Sequence, residues 1–358
     1  MSSDALIAGW QERIREALGK RTPLRIRGGG TKDFYGERFE GEVFDVSPNA
    51  GIVDYDPTEL VITAKGGTRL ADIESAMDEA SQMLAFEPPY FGDGATLGGC
   101  VATGLSGPRR PYSGAVRDFV LGVRVLDGKG DDLRFGGRVM KNVAGFDVSR
   151  LMTGALGTLG ILLEVSLKCL PRPKAEKTLV FEMSGQNAVE KINAWSGQPL
   201  PLSASAWHED KLYVRLSGAE AAVRAASTKL GGETISDPQA HAWWQSIREQ
   251  KMAFFDTASQ LWRLSVKPTA PFTDLDTFQM IEWGGALRWL NASSAVDANE
   301  VRDWASKNGG HATMFRAIDH HAGVFQPLQP AVLAIHKRLK TTFDPAGILN
   351  PGRMYREF

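Results

Sequence analysis

The chain has 358 residues, a formal net charge of −1, 43% hydrophobic residues and 23% charged ones. That length is enough for two domains, and the balance is that of a soluble globular protein, with no basic excess for nucleic acid or an anionic membrane surface. Two cysteines, Cys100 and Cys169, argue against a disulfide framework and exclude an iron–sulfur cluster held by four thiolates of this chain. The opening Met1-Ser2-Ser3-Asp4 lacks the basic region and apolar core of a signal peptide. The most apolar stretch, 151–170, is interrupted by Glu164, Lys168 and three glycines, so no membrane span is read.

Residues 4–19 read as an amphipathic helix with Leu6, Ile7, Trp10, Ile14, Ala17 and Leu18 on one side and Gly19 as its stop. Leu24 and Ile26 alternate with Arg25 and Arg27, a short half-buried strand. Further strands are predicted at 43–46 and 60–64. Thr68 is the expected N-cap of a helix that carries Leu70, Ile73, Met77, Ala80 and Leu84 at helical spacing. Strands at 119–126 and 131–135 flank Asp127-Gly128-Lys129-Gly130, a hairpin signature, and a long alternating strand occupies 161–169. Pro171-Arg172-Pro173-Lys174 marks a domain boundary. Beyond it the order is strand 178–183, helix 186–196, strands 202–207 and 211–216, and helix 218–230. That rhythm predicts an antiparallel sheet with helices on one face. Helices follow at 238–251, 295–307 and 328–342. Eight of the nine tryptophans lie beyond residue 190, and a filled core is their expected role.

Three glycine-rich segments carry the chemistry. Arg27-Gly28-Gly29-Gly30-Thr31-Lys32 follows a strand directly. Bare amides in such a turn form a concavity suited to phosphate oxygens, and Thr31 adds a hydroxyl and Arg27 or Lys32 a positive charge. The second segment is Ala95-Thr96-Leu97-Gly98-Gly99-Cys100-Val101-Ala102-Thr103-Gly104, and the third is Gly154-Ala155-Leu156-Gly157-Thr158-Leu159-Gly160-Ile161. None fits the G-x-G-x-x-G fingerprint of a dinucleotide fold with its acidic ribose ligand, and no G-x-x-x-x-G-K-[ST] run exists. The expected occupant of the first loop is the diphosphate of a nucleotide cofactor.

In this order and spacing, the segments resemble the flavin domain of the vanillyl-alcohol oxidase and p-cresol methylhydroxylase superfamily. The resemblance covers 23–173 and resumes at Phe343-Asp344-Pro345-Ala346-Gly347-Ile348-Leu349-Asn350-Pro351-Gly352-Arg353. The stretch 112–118 and Lys141-Asn142-Val143-Ala144-Gly145-Phe146-Asp147 narrow it: the chain is similar to the FAD-binding E subunits of bacterial glycolate oxidases. The resemblance implies an α+β fold. A two-subdomain, p-cresol methylhydroxylase-type FAD-binding domain spans 1–172. An antiparallel-sheet substrate or cap domain with ferredoxin-like elements follows at 173–330, and a C-terminal segment at 331–358 packs back on the first domain. It implies FAD, held by Arg27, Gly28, Gly29, Gly30 and Thr31 at the diphosphate, by Thr96, Gly98, Gly99 and Thr103 near the pyrophosphate and ribose, and by Gly157, Gly160 and Ile161 near the adenosine and ring. The resemblance also implies that Pro89, in Glu87-Pro88-Pro89, lies beside the flavin. Asp118 and Asp147 match acidic positions of the family and either fix backbone or touch cofactor. Asn350-Pro351-Gly352-Arg353 is expected to be a structural clasp. Relatives with covalently attached flavin often place a histidine after the glycines. Here Thr31 stands there, so the FAD is expected to be non-covalent. Cys100 is expected to be a buried packing residue. Gly29→Val is expected to set a branched side chain against the phosphates.

The implied function is that of an FAD-binding subunit of a glycolate oxidase complex, oxidising glycolate to glyoxylate. A second FAD-binding subunit and an iron–sulfur subunit would pass the electrons toward a membrane quinone. The chain would be cytoplasmic, held at the inner membrane at most through those partners. Two other readings stand beside this one: a self-sufficient FAD-dependent 2-hydroxy-acid dehydrogenase of D-lactate type, and a non-catalytic flavin-binding assembly subunit. Oxidation of a 2-hydroxy acid needs a base for the hydroxyl proton and a cation for the carboxylate. Related D-lactate dehydrogenases carry a spaced cluster of histidines and an acid, associated with metal and substrate. Among the six histidines here no such cluster is visible, so no metal is expected. His320 and His321 are adjacent and point in different directions. His311, Arg316 and His320 are the remaining candidates for a polar site, each as readily a surface or packing residue.

Overall fold

The computed structural model describes residues 3–137, 146–256, 259–292 and 296–358. The motif at Lys141–Gly145 lies outside the described residues. The amphipathic helix Ser3–Lys20 buries Ile7, Trp10, Ile14 and Ala17. They rest on a parallel strand pair, Leu24–Arg27 with Glu42–Asp45, and on Leu126, Ile161 and Leu163. Beside it stands a five-stranded antiparallel sheet, ordered Ile52–Asp56, Val61–Lys65, Ile161–Lys168, Val120–Leu126, Asp132–Gly136. The helices Leu70–Glu79 and Leu97–Thr103 bury Leu70, Ile73, Met77, Cys100 and Val101 in a core with Ile62, Val123, Val165 and Leu167 from this sheet.

An eight-stranded antiparallel sheet forms the other half, in the order Glu233–Thr234, Ala175–Glu182, Lys211–Gly218, Leu202–His208, Phe278–Glu282, Leu287–Ala292, Gln260–Ser265, His311–Ala317. It is two four-stranded halves joined by a two-residue pairing, Ala206 with Glu282 and Trp207 with Ile281. The helices Gly185–Ser196, Glu220–Leu230 and Ala298–Lys307 cover one face. Side chains alternate across a strand, so Trp262 and Leu264 pack under those helices while Arg263 points the other way. That second face meets the first half of the molecule, where Tyr35, Leu105 and Leu156 enter a common core with Trp289, Met280 and Phe315. Six of the eight late tryptophans are buried: Trp195, Trp207, Trp244, Trp262, Trp283 and Trp289.

Buried ions tie the halves together. Glu87 accepts hydrogen bonds from Arg109 and, at 2.8 Å, from Arg215 of the large sheet, and Arg109 also pairs with Glu176. The last helix, Pro330–Phe343, leads to a segment that rejoins the first strand, with Leu349 bridged to Leu24. Lys340 is 5% exposed. It donates to the carbonyls of Thr158 (2.9 Å) and Leu349 (2.6 Å) and pairs with the fully buried Asp344. Asp344 in turn accepts the amides of Ile348 and Leu349. Among the described residues, no helix is long and apolar enough to cross a membrane.

Several elements differ from the sequence-based expectation. Thr68 does not cap the helix that follows. Arg69 holds the N-cap position without a side-chain bond, while the Thr68 hydroxyl exchanges hydrogen bonds with the backbone of Gly51. That helix ends at Glu79, not Leu84, because Gln82–Met83 pairs as a short strand with Leu170–Pro171. The strands Ile52–Asp56, Gln260–Ser265, Phe278–Glu282, Leu287–Ala292 and His311–Ala317 were not foreseen. All six residues of Leu287–Ala292 are buried, so the period-2 alternation that marks a half-exposed strand is erased.

Candidate functional site

The strand Leu24–Arg27 delivers the triple glycine to the edge of a cleft of about 90 Å³ that opens to solvent. Two of these glycines are required by close approach. A Cβ at Gly29 would lie 1.5 Å from the Gly94 carbonyl oxygen, and one at Gly28 would lie 2.6 Å from Thr96 Oγ1. The segments 28–31 and 92–99 therefore run backbone against backbone. The left-handed residue is Gly30, at φ 71°, and not Gly29. A side chain at 29 thus meets protein backbone rather than phosphate, which corrects the expected basis of a Gly29→Val effect. The amides of Gly29, Gly30, Thr31 and Lys32 have no acceptor among the described residues. Consecutive unpaired amides in a turn form an anion-binding concavity. Four cations line the same cleft, Arg25, Arg27, Lys32 and Arg353, against one carboxylate, Asp33. Arg25 and Arg27 hold Asp33 at 3.0 and 2.8 Å. Lys32 is 8% exposed, and burial pushes its pKa down. Amides and charge fit the diphosphate of FAD.

The opposite wall contributes shape rather than amides. At the start of the helix Leu97–Thr103, the amides of Leu97 and Gly98 donate to Thr68 and Gly66 carbonyls, and that of Gly99 to Thr96 Oγ1. The Thr103 hydroxyl bonds back to Gly99. Thr96, Gly99 and Thr103 line the cleft, whereas Gly98 packs on Gly66. Gly157, at φ 72°, makes room for Asn350. Asn350 accepts the Ile26 amide at 2.8 Å and donates to the Leu156 carbonyl at 2.7 Å. The structure does not bring Gly160 or Ile161 to the cleft. Gly160 packs closely on Val125, and Ile161 is buried beside Leu126. Asp118 accepts the Ala115 amide and Asp147 caps a short helix, so both fix local backbone. Cys100 is buried, and burial pushes its thiol up to about 12.

Pro89 lines a second, small cavity of about 30 Å³ between the two halves of the molecule. Arg263 and Glu282 from the large sheet line it too, and sequence reading missed both. Strand register places them: Arg263 lies opposite Trp289 and Thr313, and Glu282 opposite Ala206 and Leu287. Glu282 is 4% exposed. It accepts Trp289 Nε1 at 2.7 Å, and burial pushes its pKa up to about 7. Arg263 is half-buried, and its guanidinium has no hydrogen bond or ion pair among the described residues. Its guanidinium lies over Trp283 and Trp289 at 5.1 and 6.0 Å.

Of the three candidates named for a polar site, Arg316 packs on rings at the edge of this region, and His311 lies near enough to Arg263 to feel its charge. The Arg316 guanidinium stacks on Phe34 at 4.6 Å and Phe91 at 5.5 Å. His311 lies exposed at the start of the edge strand, and His320 contacts the Ala317 carbonyl in a surface turn.

The FAD binding domain family matches residues 8–136, and the C-terminal domain of FAD linked oxidases matches 318–354. The chain is 50% identical to glycolate oxidase subunit GlcE of Escherichia coli (strain K12), covering 97% of this chain and 96% of that one. It is 34% identical to glycolate oxidase subunit GlcD of Bacillus subtilis (strain 168), covering 85% of this chain and 77% of that one. Among solved structures, p-cresol methylhydroxylase with substrate bound superposes with a TM-score of 0.70 at 15% identity, over 98% of this chain and 88% of that one. That similarity shows a shared fold.

Proposed function

The chain belongs to the FAD-linked oxidases, in the family of glycolate oxidase subunit GlcE, and from that premise we propose that it is the FAD-binding E subunit of a glycolate oxidase. The observation that carries the reading is the four unpaired amides of Gly29–Lys32 facing a cationic cleft in a chain half-identical to that subunit. FAD, when bound, takes the electron pair released as the alcohol carbon of a 2-hydroxy acid is oxidised, and can give it up one electron at a time. The residues of this chain bind and orient it. Gly29–Lys32 donate amides to the diphosphate, Thr96, Gly99 and Thr103 set the opposite wall, and Asn350 with Arg353 closes the end. Thr31 has no imidazole to join the flavin, so the cofactor is non-covalent.

The two cysteines of this chain cannot hold a four-thiolate cluster, so the onward path needs partners: a second FAD-binding subunit and an iron–sulfur subunit that leads toward quinone. The chain is cytoplasmic in this reading and meets the membrane only through those partners. The test is to purify the complex, separate its subunits and quantify flavin on each. Flavin on this chain, with glycolate-dependent dye reduction by the complex, is the expected result. No absorbance at about 450 nm, where oxidised flavin absorbs, even after reconstitution with FAD, would defeat it.

A further inference from the structure

Lys32 lines the cofactor cleft at 8% exposure, and no carboxylate pairs with it among the described residues. An ammonium buried without an anion is costly unless the site serves one. Its Nζ donates to the Tyr90 carbonyl at 3.2 Å and lies over the Phe91 ring at 5.6 Å. The Thr31 hydroxyl stands at 3.5 Å, so of three donors at least one is left for a ligand in the cleft. The groups that aim this cation therefore belong to the segment 87–92, outside the glycine loop.

That segment is held from the other half of the molecule. Glu249, just past the helix Asp237–Arg248, is 8% exposed. Its carboxylate accepts the Tyr90 amide at 3.1 Å and the Phe91 amide at 2.8 Å, and Arg248 Nε donates to it at 2.8 Å. Successive amides around one anion form a nest. The backbone that presents them is strained: Glu87 and Phe91 have φ of 48° and 55°, both left-handed. Non-glycine residues persist there only where their surroundings hold them. Glu249 holds Phe91, and Arg109 and Arg215 hold Glu87. Arg248 also lies over the Tyr90 ring at 5.1 Å, and the Tyr90 hydroxyl donates to Glu74 at 2.6 Å. Tyr90 is thus gripped at amide, ring and hydroxyl, which fixes its carbonyl for Lys32. The segment then runs on to Gly94, whose carbonyl oxygen abuts Gly29.

We propose that Glu249 is a positioning residue for the cofactor: from the large-sheet half it seats Tyr90 and Phe91 so that the Lys32 ammonium stays in the diphosphate cleft. The inference rests on the FAD reading. Glu249 does not line the cleft and acts only through the segment it grips. Retention of FAD then depends on the docking of the two halves. The charge of Glu249 supplies a sign that separates positioning from plain electrostatics. Removing a negative charge near an anion site tightens an anionic ligand by Coulomb's law. Removing the anchor of the cation that holds that ligand weakens it.

The test is titration of the full-length apoprotein with FAD, followed by flavin fluorescence, for the unaltered chain, Lys32→Met, Glu249→Gln and the double variant. Lys32→Met is expected to weaken FAD about ten- to a hundredfold, the loss of a charge-assisted contact. Glu249→Gln is expected to weaken it about five- to tenfold, against the Coulombic sign. The double variant is expected to match Lys32→Met within about twofold, because the anchor has nothing left to aim. Tyr90→Phe strands Glu74 but keeps both backbone amides. It is expected to lower stability in denaturant and to leave FAD affinity within about twofold, which separates lost stability from lost positioning. Should circular dichroism show Glu249→Gln unfolded, Glu249→Asp takes its place in the same cycle. It keeps the charge and falls one methylene short of the amides, and the same weakening and non-additivity are expected. FAD affinity in the Glu249 variant within twofold of the unaltered chain, or tighter, overturns the proposal. So does a double variant whose loss is the product of the two single losses, or a Tyr90→Phe protein that weakens FAD as much as the Glu249 variant. A chain that binds FAD regardless of residue 249 refutes this role alone and leaves the FAD reading intact. An unaltered chain that takes up no FAD refutes both.

Discussion

Gly29→Ala isolates the cofactor loop with one methyl group. A real Cβ needs at least 3.0 Å from a carbonyl oxygen, and the one added here finds the Gly94 oxygen at 1.5 Å and its carbonyl carbon at 2.4 Å, backbone that cannot turn aside. The loop 28–32 and the segment 92–96 must therefore part, and the amides of Gly29–Lys32 lose their common focus. Hydrogen bonds to charged acceptors contribute about 1.5–3 kcal/mol each, so losing two of the four costs about 3–6 kcal/mol of FAD affinity. That is about two to four orders of magnitude in Kd. Gly28→Ala makes a graded companion, because its methyl would meet the Thr96 hydroxyl at 2.6 Å, the end of a side chain that can turn. Gly9→Ala, with nothing within 4 Å, is the control and stabilises its helix by about 0.5–1 kcal/mol. Titration of apoprotein with FAD, followed by flavin fluorescence, gives the three constants, and circular dichroism checks the fold. A Gly29→Ala protein that binds FAD within threefold of the unaltered chain would show that these amides do not grip the diphosphate.

Other consequences can be measured directly. Lys340→Met strands the fully buried Asp344 without its cation and should lower stability by about 3–5 kcal/mol in denaturant titration, whereas Lys340→Met with Asp344→Leu should recover part of it. Burial opposes ionisation of Glu176, but Arg215 and Arg109 outweigh it and hold its pKa below the usual 4.5. A carboxyl depressed in the folded state contributes stability above its unfolded pKa and loses it as pH falls through the folded one. Docking of the two halves should therefore loosen below pH 4.5, seen as faster proteolysis at 172–175, and Glu176→Gln should flatten that dependence. Acid precipitation of the holoprotein should leave all flavin in the supernatant, because Thr31 offers no covalent link. Yellow colour that stays with the pellet would contradict this.

Legibility in the sequence followed exposure. The loop at 28–32 was readable only together with the two later glycine segments, since alone a triple glycine reads as a flexible turn; the structure gives the amides of Gly29–Lys32 no partner among the described residues. The segment at 96–103 was readable as a motif, but its amides close on Gly66 and Thr68, a pairing set by tertiary packing. The strands between 260 and 317 were missed because both faces are buried: one by helices, the other by the FAD-binding half. Arg263 and Glu282 were hidden for the same reason. Each sits alone among apolar neighbours, and only sheet register brings them to one cavity. Thr68 carried a capping signature and spent its hydroxyl on Gly51, since a tertiary backbone partner outcompetes the local one.

The tie between Asn350, Ile26 and Leu156 sets an order of events during synthesis. Residues 26 and 156 emerge from the ribosome long before residue 350, so for most of translation the cradle stands with one side missing. In the proposed reading, a chain cut short by a premature stop or by a protease near its end keeps its glycines and lacks the wall that closes on the flavin.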